Sequence, residues 1–473
     1  MTTPTRPLLC TLVCSAAALL CFTAGRAEPA SAPAAAPAAN TAPAAPAITP
    51  DSYIRVVDDA QAQRTTLELA IRSFQRPDGS GPVVHLVSAV HIADKAFYEE
   101  MQRFLDAQDV VLFEGVKPPG AGRLAHLTTD EQRATATRRR LEFLSSLIEK
   151  HWGEQGAPPK TLQDLAESNK RFRTLVTSLL VDGWGKPIVY TPPADAPAAP
   201  ATPASPDAPT EAPTATLLSF GADVAPGGAE AAADITVTAR KPAGGSGGAG
   251  GGGGGGLQAK LAKALNLTFQ LDGMDSSKPN WRSSDLAIDE VQERLARNGA
   301  DGRALLSMLD GSSLSARVVG LLLNLIAMSD TMSTMAKAMM VETLGASERM
   351  FQNDSPDAKG PMGAMGPMMK VIVHDRNDVV VGDLQQIFAS EPNVRSVAAF
   401  YGAAHMTAFE EVLREKLGLR PIETRWVPAI SVDLKAAGMS LAQMQQMRRS
   451  LERQLGGSRR TPAGGKNAPA EAK

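Results

Sequence analysis

The sequence predicts an α/β fold in which a mostly parallel central sheet is flanked by helices. Short apolar runs typical of strands alternate with amphipathic stretches of helical length along most of the chain. One run, DVVLFEG at residues 109 to 115, is apolar almost throughout, as expected for a parallel strand buried on both faces. Two strand-x-x-His-helix segments resemble each other and predict a repeated unit. A helical insertion and a long disordered linker interrupt the pattern.

Residues 1 to 27 are predicted to be a signal peptide that directs export, and a retained N-terminal anchor is the alternative.

 The segment holds Arg6, the apolar run LLCTLVCSAAALLCF and the small-x-Ala triplet at 25 to 27. This run is shorter than the ~20 residues that cross a bilayer, so no stable membrane span is expected after cleavage. All three cysteines lie within it, so a mature chain would contain no disulfide, zinc–thiolate site or cysteine nucleophile. We therefore expect an exported, periplasmic protein.

The charge of the chain is close to balanced. It carries 48 basic and 50 acidic side chains. A near-neutral, slightly acidic chain offers no electrostatic basis for binding nucleic acid. We therefore expect no nucleic-acid partner.

Low-complexity segments divide the chain. Residues 28 to 50 are Ala/Pro-rich, residues 191 to 256 are rich in Pro, Ala and Gly, and residues 456 to 473 form a Gly/Pro/charged tail. Their composition predicts disorder, because they bury too little apolar surface to offset chain entropy. Within the second segment, DITVTARKP at 234 to 242 is a β-prone island.

The remaining segments are predicted to fold. Residues 51 to 190 and 257 to 430 form the two parts of one domain, and residues 431 to 455 form a C-terminal helix. Amphipathic segments on both sides of the long linker indicate an insertion at a surface loop. Two separate domains joined by a tether are the alternative.

The elements follow from periodicity, β-propensity and length. Strands are predicted at 65 to 74, 82 to 91, 109 to 115, 267 to 275, 395 to 402 and 422 to 430. Helices are predicted at 94 to 107, 128 to 150, 160 to 181, 257 to 265, 286 to 298, 303 to 350, 368 to 389 and 406 to 417.

Two histidines occupy matching contexts. His91 and His405 each follow an apolar strand, a small residue and two further residues, and each precedes a helix carrying an aromatic residue and two glutamates. The small residues are Ser88 and Gly402. Because ligands bind beyond the carboxyl ends of strands in open α/β sheets, both histidines are expected at one edge. Exposed loop histidines are the alternative.

Two charged residues extend this candidate site. Glu114 ends the apolar strand, where a carboxylate requires a cation or metal as partner. Arg376 falls on the apolar stripe of the helix at 368 to 389, so it needs a carboxylate or a bound anion. An exposed acid at a strand end and a snorkelling arginine are the alternatives.

These residue types suit metal-assisted hydrolysis. Two imidazoles and a carboxylate can hold a divalent ion with open positions for water and a carbonyl oxygen. Glu114 could instead be the base that deprotonates the water, and Arg376 suits a developing oxyanion. The residues alone do not choose between these roles.

The paired strand-x-x-His units, the Phe-Glu-Gly glutamate and the Asp-Arg-Asn run at 375 to 377 resemble the TraB/PrgY/GumN/TIKI superfamily. The stretch LNLTFQLDGMDSSKPNWRSSDLAIDEV at 265 to 291 resembles a segment of its bacterial members. The resemblance covers roughly residues 52 to 125, 160 to 190 and 257 to 430. It implies an erythromycin-esterase/ChaN-like fold and, from animal members, proteolysis dependent on a manganese- or cobalt-like divalent ion.

The resemblance also implies roles for individual residues. His91, His405 and Glu114 correspond to the metal-binding positions, and Glu114 and Arg376 to catalytic positions. Gly402 matches the family glycine, whereas Ser88 stands where a glycine is expected, which puts the competence of the first half-site in question.

Three further residues are assigned supporting roles by their neighbours. Asp375 and Asn377 flank Arg376, and Tyr401 precedes Gly402.

The sequence thus predicts a metal-dependent hydrolase acting on a peptide or small-molecule substrate. The alternative is a non-catalytic periplasmic protein that binds a peptide, haem or metal ion on the same fold. An envelope interaction protein that uses its low-complexity arms is a third class.

Overall fold

The structure is a computed structural model that describes several parts of the chain. They are residues 52–168, 173–193, 213–242, 257–299, 323, 326–352 and 366–455. The predicted signal peptide, the linker at 28 to 50 and the tail at 456 to 473 lie outside the described residues.

The strands form three sheets among the described residues. They are β1 (Ile54–Asp59), β2 (Arg64–Gln75), β3 (Val83–Ala89), β4 (Ile92–Ala93), β5 (Val110–Phe113), β6 (Val189–Thr191), β7 (Thr214–Ser219), β8 (Ile235–Arg240), β9 (Thr268–Phe269), β10 (Trp281–Ser283), β11 (Ser396–Gly402) and β12 (Arg420–Asp433). The central sheet has the order β1-β2-β3-β11-β5-β10, and β12 also pairs with β2.

The central sheet is mixed. Its core strands β3, β11, β5 and β10 pair in parallel, whereas β2 pairs antiparallel with β1, β3 and β12. The short connections from β1 to β2 and from β2 to β3 account for the antiparallel pairing of β2 with β1 and β3, since a short loop joins antiparallel neighbours. The α/β class is therefore confirmed, and the parallel arrangement is restricted to the core strands.

Helices cover both faces of this sheet. The helices are α1 (Lys95–Asp106), α2 (Asp130–Gln155), α3 (Leu162–Ser168), α4 (Arg173–Ser178), α5 (Leu257–Ala264), α6 (Gln270–Gly273), α7 (Ile288–Arg297), α8 (Asp330–Gln352), α9 (Gly366–Met369), α10 (Arg376–Ser390), α11 (Met406–Lys416) and α12 (Leu441–Leu455). A π-helix, Lys370–Asp375, joins α9 to α10, and a 3₁₀ helix, Ala403–His405, precedes α11.

Side chains alternate between the two faces of the central sheet, and each face packs into a separate hydrophobic core. On β11, Ala398 and Phe400 face the core formed with α1, α5, α8 and α12. Val397, Ala399 and Tyr401 face the opposite core, formed with α10 and α11. This period of two is what a strand between two apolar layers requires.

The segment between β5 and β10 carries a smaller unit with its own core. Leu144 and Ile148 of α2 pack there with Leu217 of β7 and Ile235 of β8. A capping box at Thr129 starts α2, and Gly156 ends it in the left-handed conformation, with φ of 77°. Strands from both sides of this unit, β5 and β10, pair directly in the central sheet.

The structure differs here from the disorder predicted for residues 191 to 256. Residues 213–242 of this range are described and contain β7 and β8, which form an antiparallel sheet with β6. The β-prone island at 234 to 242 is an edge strand of this sheet. The prediction of disorder rested on the average composition of the range. That average did not reflect two short runs, TATLLS and ITVTAR, which pair with each other and pack against α2.

Two other element predictions differ from the structure. The predicted C-terminal helix at 431 to 455 begins only at Leu441, because β12 continues to Asp433 along β2. The predicted strand at 267 to 275 is reduced to β9 and the single turn α6. Among the described residues, no helix has the length and apolar character needed to cross a membrane.

Candidate functional site

A cavity of about 190 Å³ opens at the carboxyl ends of β3, β5 and β11. Its wall includes His91 after β3, Glu114 after β5, and Gly402 and His405 after β11. Arg376, the first residue of α10, completes this polar side. Parallel neighbours end at the same edge of a sheet, so residues far apart in sequence meet here.

Glu114 is held by two donors. Its Oε1 accepts a hydrogen bond from Arg376 Nη2 at 2.8 Å, and its Oε2 accepts one from the Gly402 N–H at 2.7 Å. A β-carbon on Gly402 would lie 3.2 Å from Glu114 Oε2. Glycine at position 402 thus permits the close approach of this carboxylate to the backbone.

Asp285 is the second partner of Arg376 and was not among the predicted site residues. Its carboxylate accepts bonds from Arg376 Nε at 2.8 Å and Nη2 at 2.7 Å. It also accepts from the backbone N–H groups of Gly115 and Leu286. Asp285 is 2% exposed. The signal for it was indirect: Arg376 on an apolar stripe required a carboxylate, but its identity depends on β10 pairing with β5.

The ionisation of the two central groups follows from this pairing. Burial alone would raise the pKa of Glu114, but the Arg376 guanidinium and the Gly402 N–H outweigh it and hold that pKa well below its usual range. Burial alone would lower the pKa of Arg376, but Glu114 and Asp285 raise it. Both groups are therefore charged at neutral pH.

His405 is oriented by Asn377. Asn377 Nδ2 donates to the His405 carbonyl at 3.2 Å, so Asn377 Oδ1 is the atom that lies 2.7 Å from His405 Nδ1. An amide oxygen accepts, so Nδ1 carries the proton. Nε2 is left with a free lone pair, 3.7 Å from Glu114 Oε1.

His405 is neutral at neutral pH. It is 5% exposed, and this burial lowers its pKa to about 4 despite the nearby Glu114. Its approach to Glu114 is therefore a contact between a lone pair and a carboxylate, and not an ion pair. Such a contact leaves space for a proton donor or a cation between the two groups.

His91 has a different environment from His405. It is exposed at the cavity wall, and its carbonyl accepts a hydrogen bond from the Gln270 N–H. The sheet register pairs Gly402 with Ala89 and Tyr401 with Ser88. The two histidines thus lie at the same sheet edge, while their local structures differ.

Of the five predicted supporting residues, Gly402 belongs to the described cavity wall, and Ser88, Asp375, Asn377 and Tyr401 do not. Tyr401 and Ser88 point to the core with α10 and α11, as the alternation of β11 and β3 dictates. Tyr401 donates to the Ser284 carbonyl and packs edge-on against His405, with ring centroids 5.4 Å apart. Asp375 pairs with Arg294 at 3.3 Å. These residues can support the site but do not contact a ligand in the cavity.

The donor types of the site fit a divalent ion in part. A neutral imidazole fixed through its other nitrogen and an ionised carboxylate are the usual ligands of such ions. However, no group of three or more His, Cys, Asp or Glu side chains within the described ranges is arranged to hold a metal. His405 and Glu114 are the two adjacent donors, and His91 is a third donor group in the same wall.

Comparison with known proteins identified no counterpart: no protein family model, no curated protein and no solved structure matches this chain.

Proposed function

We propose that this chain is an exported, metal-dependent hydrolase that cleaves a peptide or a related acyl bond in the cavity beyond β3, β5 and β11. The observation that carries the proposal is the free lone pair of His405 Nε2, fixed by Asn377 and directed to within 3.7 Å of Glu114 Oε1. The resemblance to the TraB/PrgY/GumN/TIKI superfamily supports the same chemistry. The proposal treats the two strand-x-x-His-helix segments as halves of one site.

His405 and Glu114 would hold the ion as the adjacent pair, and His91, which the structure does not group with them, would join them when the ion binds. A manganese- or cobalt-like ion would supply Lewis acidity and a water made more acidic by coordination. The low pKa of Glu114 makes it a weak base, which favours the ligand role over general-base catalysis.

Arg376 has two roles in this proposal. Nε and Nη2 bind Asp285 and Glu114, and so keep the Glu114 carboxylate in place. Nη1 makes one long contact, 3.5 Å to the Ile372 carbonyl, among the described residues. Nη1 is therefore the donor available for negative charge that develops on a substrate oxygen.

A binding protein without catalytic activity is the second candidate. The mainly apolar lining of the cavity favours it, because such a lining captures an apolar group without any chemistry. At about 190 Å³, the cavity is smaller than the roughly 300–1,000 Å³ of common ligand pockets, which favours part of a peptide over haem.

A peptide library with added manganese tests the enzymatic proposal. Wild-type protein is expected to cleave members of the library, and His405→Ala and Glu114→Gln are expected to lose that cleavage. His126→Ala, which removes an exposed histidine outside the cavity, is the control and should retain it. Unchanged cleavage by His405→Ala would refute the enzymatic proposal.

A further inference from the structure

Much of the cavity lining is apolar. Leu261 of α5, Met340 and Leu344 of α8, and Met369, Ile372 and Val373 around the π-helix belong to this apolar wall. Gln258 and Gln270 are uncharged polar residues in this lining. Methionine side chains are flexible and polarizable, so this wall can adapt to apolar groups of different shape.

The charges in the cavity disfavour an anion. Arg376 is the sole Arg or Lys among the described lining residues, and Glu114 and Asp285 already pair with it. Before an ion binds, these two carboxylates and one guanidinium leave a net negative charge beside an apolar wall. A ligand carboxylate or phosphate would be desolvated in the metal-free cavity without a partner cation.

The size of the cavity selects a compact group. An apolar cavity of about 150 Å³ accommodates benzene, and this one measures about 190 Å³. A leucine or phenylalanine side chain is of this size, whereas a long acyl chain is not. The two glutamine amides provide donors and acceptors for the amide groups of a peptide backbone.

We propose that the cavity receives an aliphatic or aromatic side chain of a peptide, adjacent to the bond that is cleaved, and that the metal-free cavity disfavours a free carboxyl terminus. This inference rests on the proposed function for the cleavage step, but the binding preference can be measured without turnover.

Methyl-¹³C-methionine NMR of the metal-free full chain tests the binding preference directly. Met340 and Met369 line the cavity, while Met101 and Met444 are buried outside its lining and serve as internal controls. N-acetyl-leucinamide and N-acetyl-phenylalaninamide should shift the two cavity methyl signals. N-acetyl-leucine and N-acetyl-asparaginamide should bind about tenfold more weakly or worse, since one lacks a neutral terminus and the other an apolar side chain. Hexanamide, a linear aliphatic amide, should also bind more weakly than N-acetyl-leucinamide.

Two variants and a matched control sharpen the test. Gln258→Arg adds a cation to the lining and should increase affinity for N-acetyl-leucine. Ile372→Trp should fill the cavity and lower the affinity for N-acetyl-leucinamide. Ile422→Trp, at an exposed position on β12, should leave that affinity unchanged. Each variant is compared after its folding is checked by circular dichroism.

The outcomes separate the two proposals. Binding of N-acetyl-leucinamide without any peptide cleavage would support the cavity preference and contradict the hydrolase. Equal or tighter binding of N-acetyl-leucine or N-acetyl-asparaginamide would overturn the cavity preference, as would the absence of shifts at Met340 and Met369 with either apolar amide.

Discussion

The orientation of the His405 imidazole is the residue-level feature that defines the site. Asn377 donates to the His405 carbonyl and accepts from Nδ1, so one side chain fixes both the position and the tautomer of the ring. Tyr401 packs against the ring from the sheet side. A ligating histidine held through its other nitrogen is the common arrangement at metal centres.

Ser88 leads to a prediction about stability. It is 1% exposed, and its hydroxyl has no hydrogen-bond partner among the described residues. Ser88→Ala removes this unpaired group and should raise the free energy of unfolding by about 1 kcal/mol. Urea denaturation measures the change.

Ser73→Ala is the matched control for Ser88→Ala. Ser73 is also buried, but its Oγ lies 2.9 Å from His85 Nδ1, so its removal should lower stability. A lower urea midpoint for Ser88→Ala than for wild type would contradict the prediction.

We expect His85 to contribute to the pH dependence of the free energy of unfolding. Burial lowers its pKa to about 4, against an ordinary value of 6.5. The unfolded chain therefore binds a proton between these pH values while the folded chain does not, so stability falls as pH decreases through this window. His85→Gln removes this group and should reduce the loss of stability between pH 7.5 and pH 4.5.

Urea midpoints at pH 7.5 and pH 4.5 are measured for wild type and for His85→Gln, and the difference between the two midpoints is compared. His405 also has a lowered pKa, so the variant should retain part of the pH dependence. An unchanged difference in the variant would show that His85 does not contribute.

Among the elements, the core strands and most helices could be predicted from sequence. The apolar run at β5 and the amphipathic stripe of α1 reflect their burial directly. The β-propensity of the run that forms β8 was visible in the sequence, but the pairing of β7 with β8 could not be predicted, because both runs lie in a range dominated by Pro, Ala and Gly. Their stability depends on pairing with each other and on packing against α2, which a local pattern does not reveal.

Leu217→Ala tests this unit. Leu217 is fully buried against α2, so its truncation should cost about 2–5 kcal/mol of stability in this unit. Thr236→Ala, at an exposed position on the neighbouring strand β8, should have a much smaller effect. Hydrogen exchange of the β7 and β8 amides measures the local change, and equal exchange in the two variants would contradict the assignment.

At the scale of the whole molecule, the topology brings the site together. Glu114, Arg376 and His405 were predicted from strand ends and an apolar stripe, and the parallel core strands deliver them to one cavity. Asp285 could not be predicted, because it reaches Arg376 across 91 positions of sequence through the pairing of β10 with β5. The side-chain directions of Ser88, Tyr401 and Asp375 likewise depend on register and helix phase.

Manganese binding by the full chain tests the central claim most directly. Electron paramagnetic resonance of free Mn²⁺ during a titration measures the affinity of wild type, His405→Ala and Asn377→Ala. Wild type should bind one ion at a saturable site, His405→Ala should abolish that binding, and Asn377→Ala should weaken it by about 10–100-fold because the imidazole loses its fixed orientation. His126→Ala should bind like wild type. Absence of binding by wild type, or unchanged binding by His405→Ala, would contradict the account.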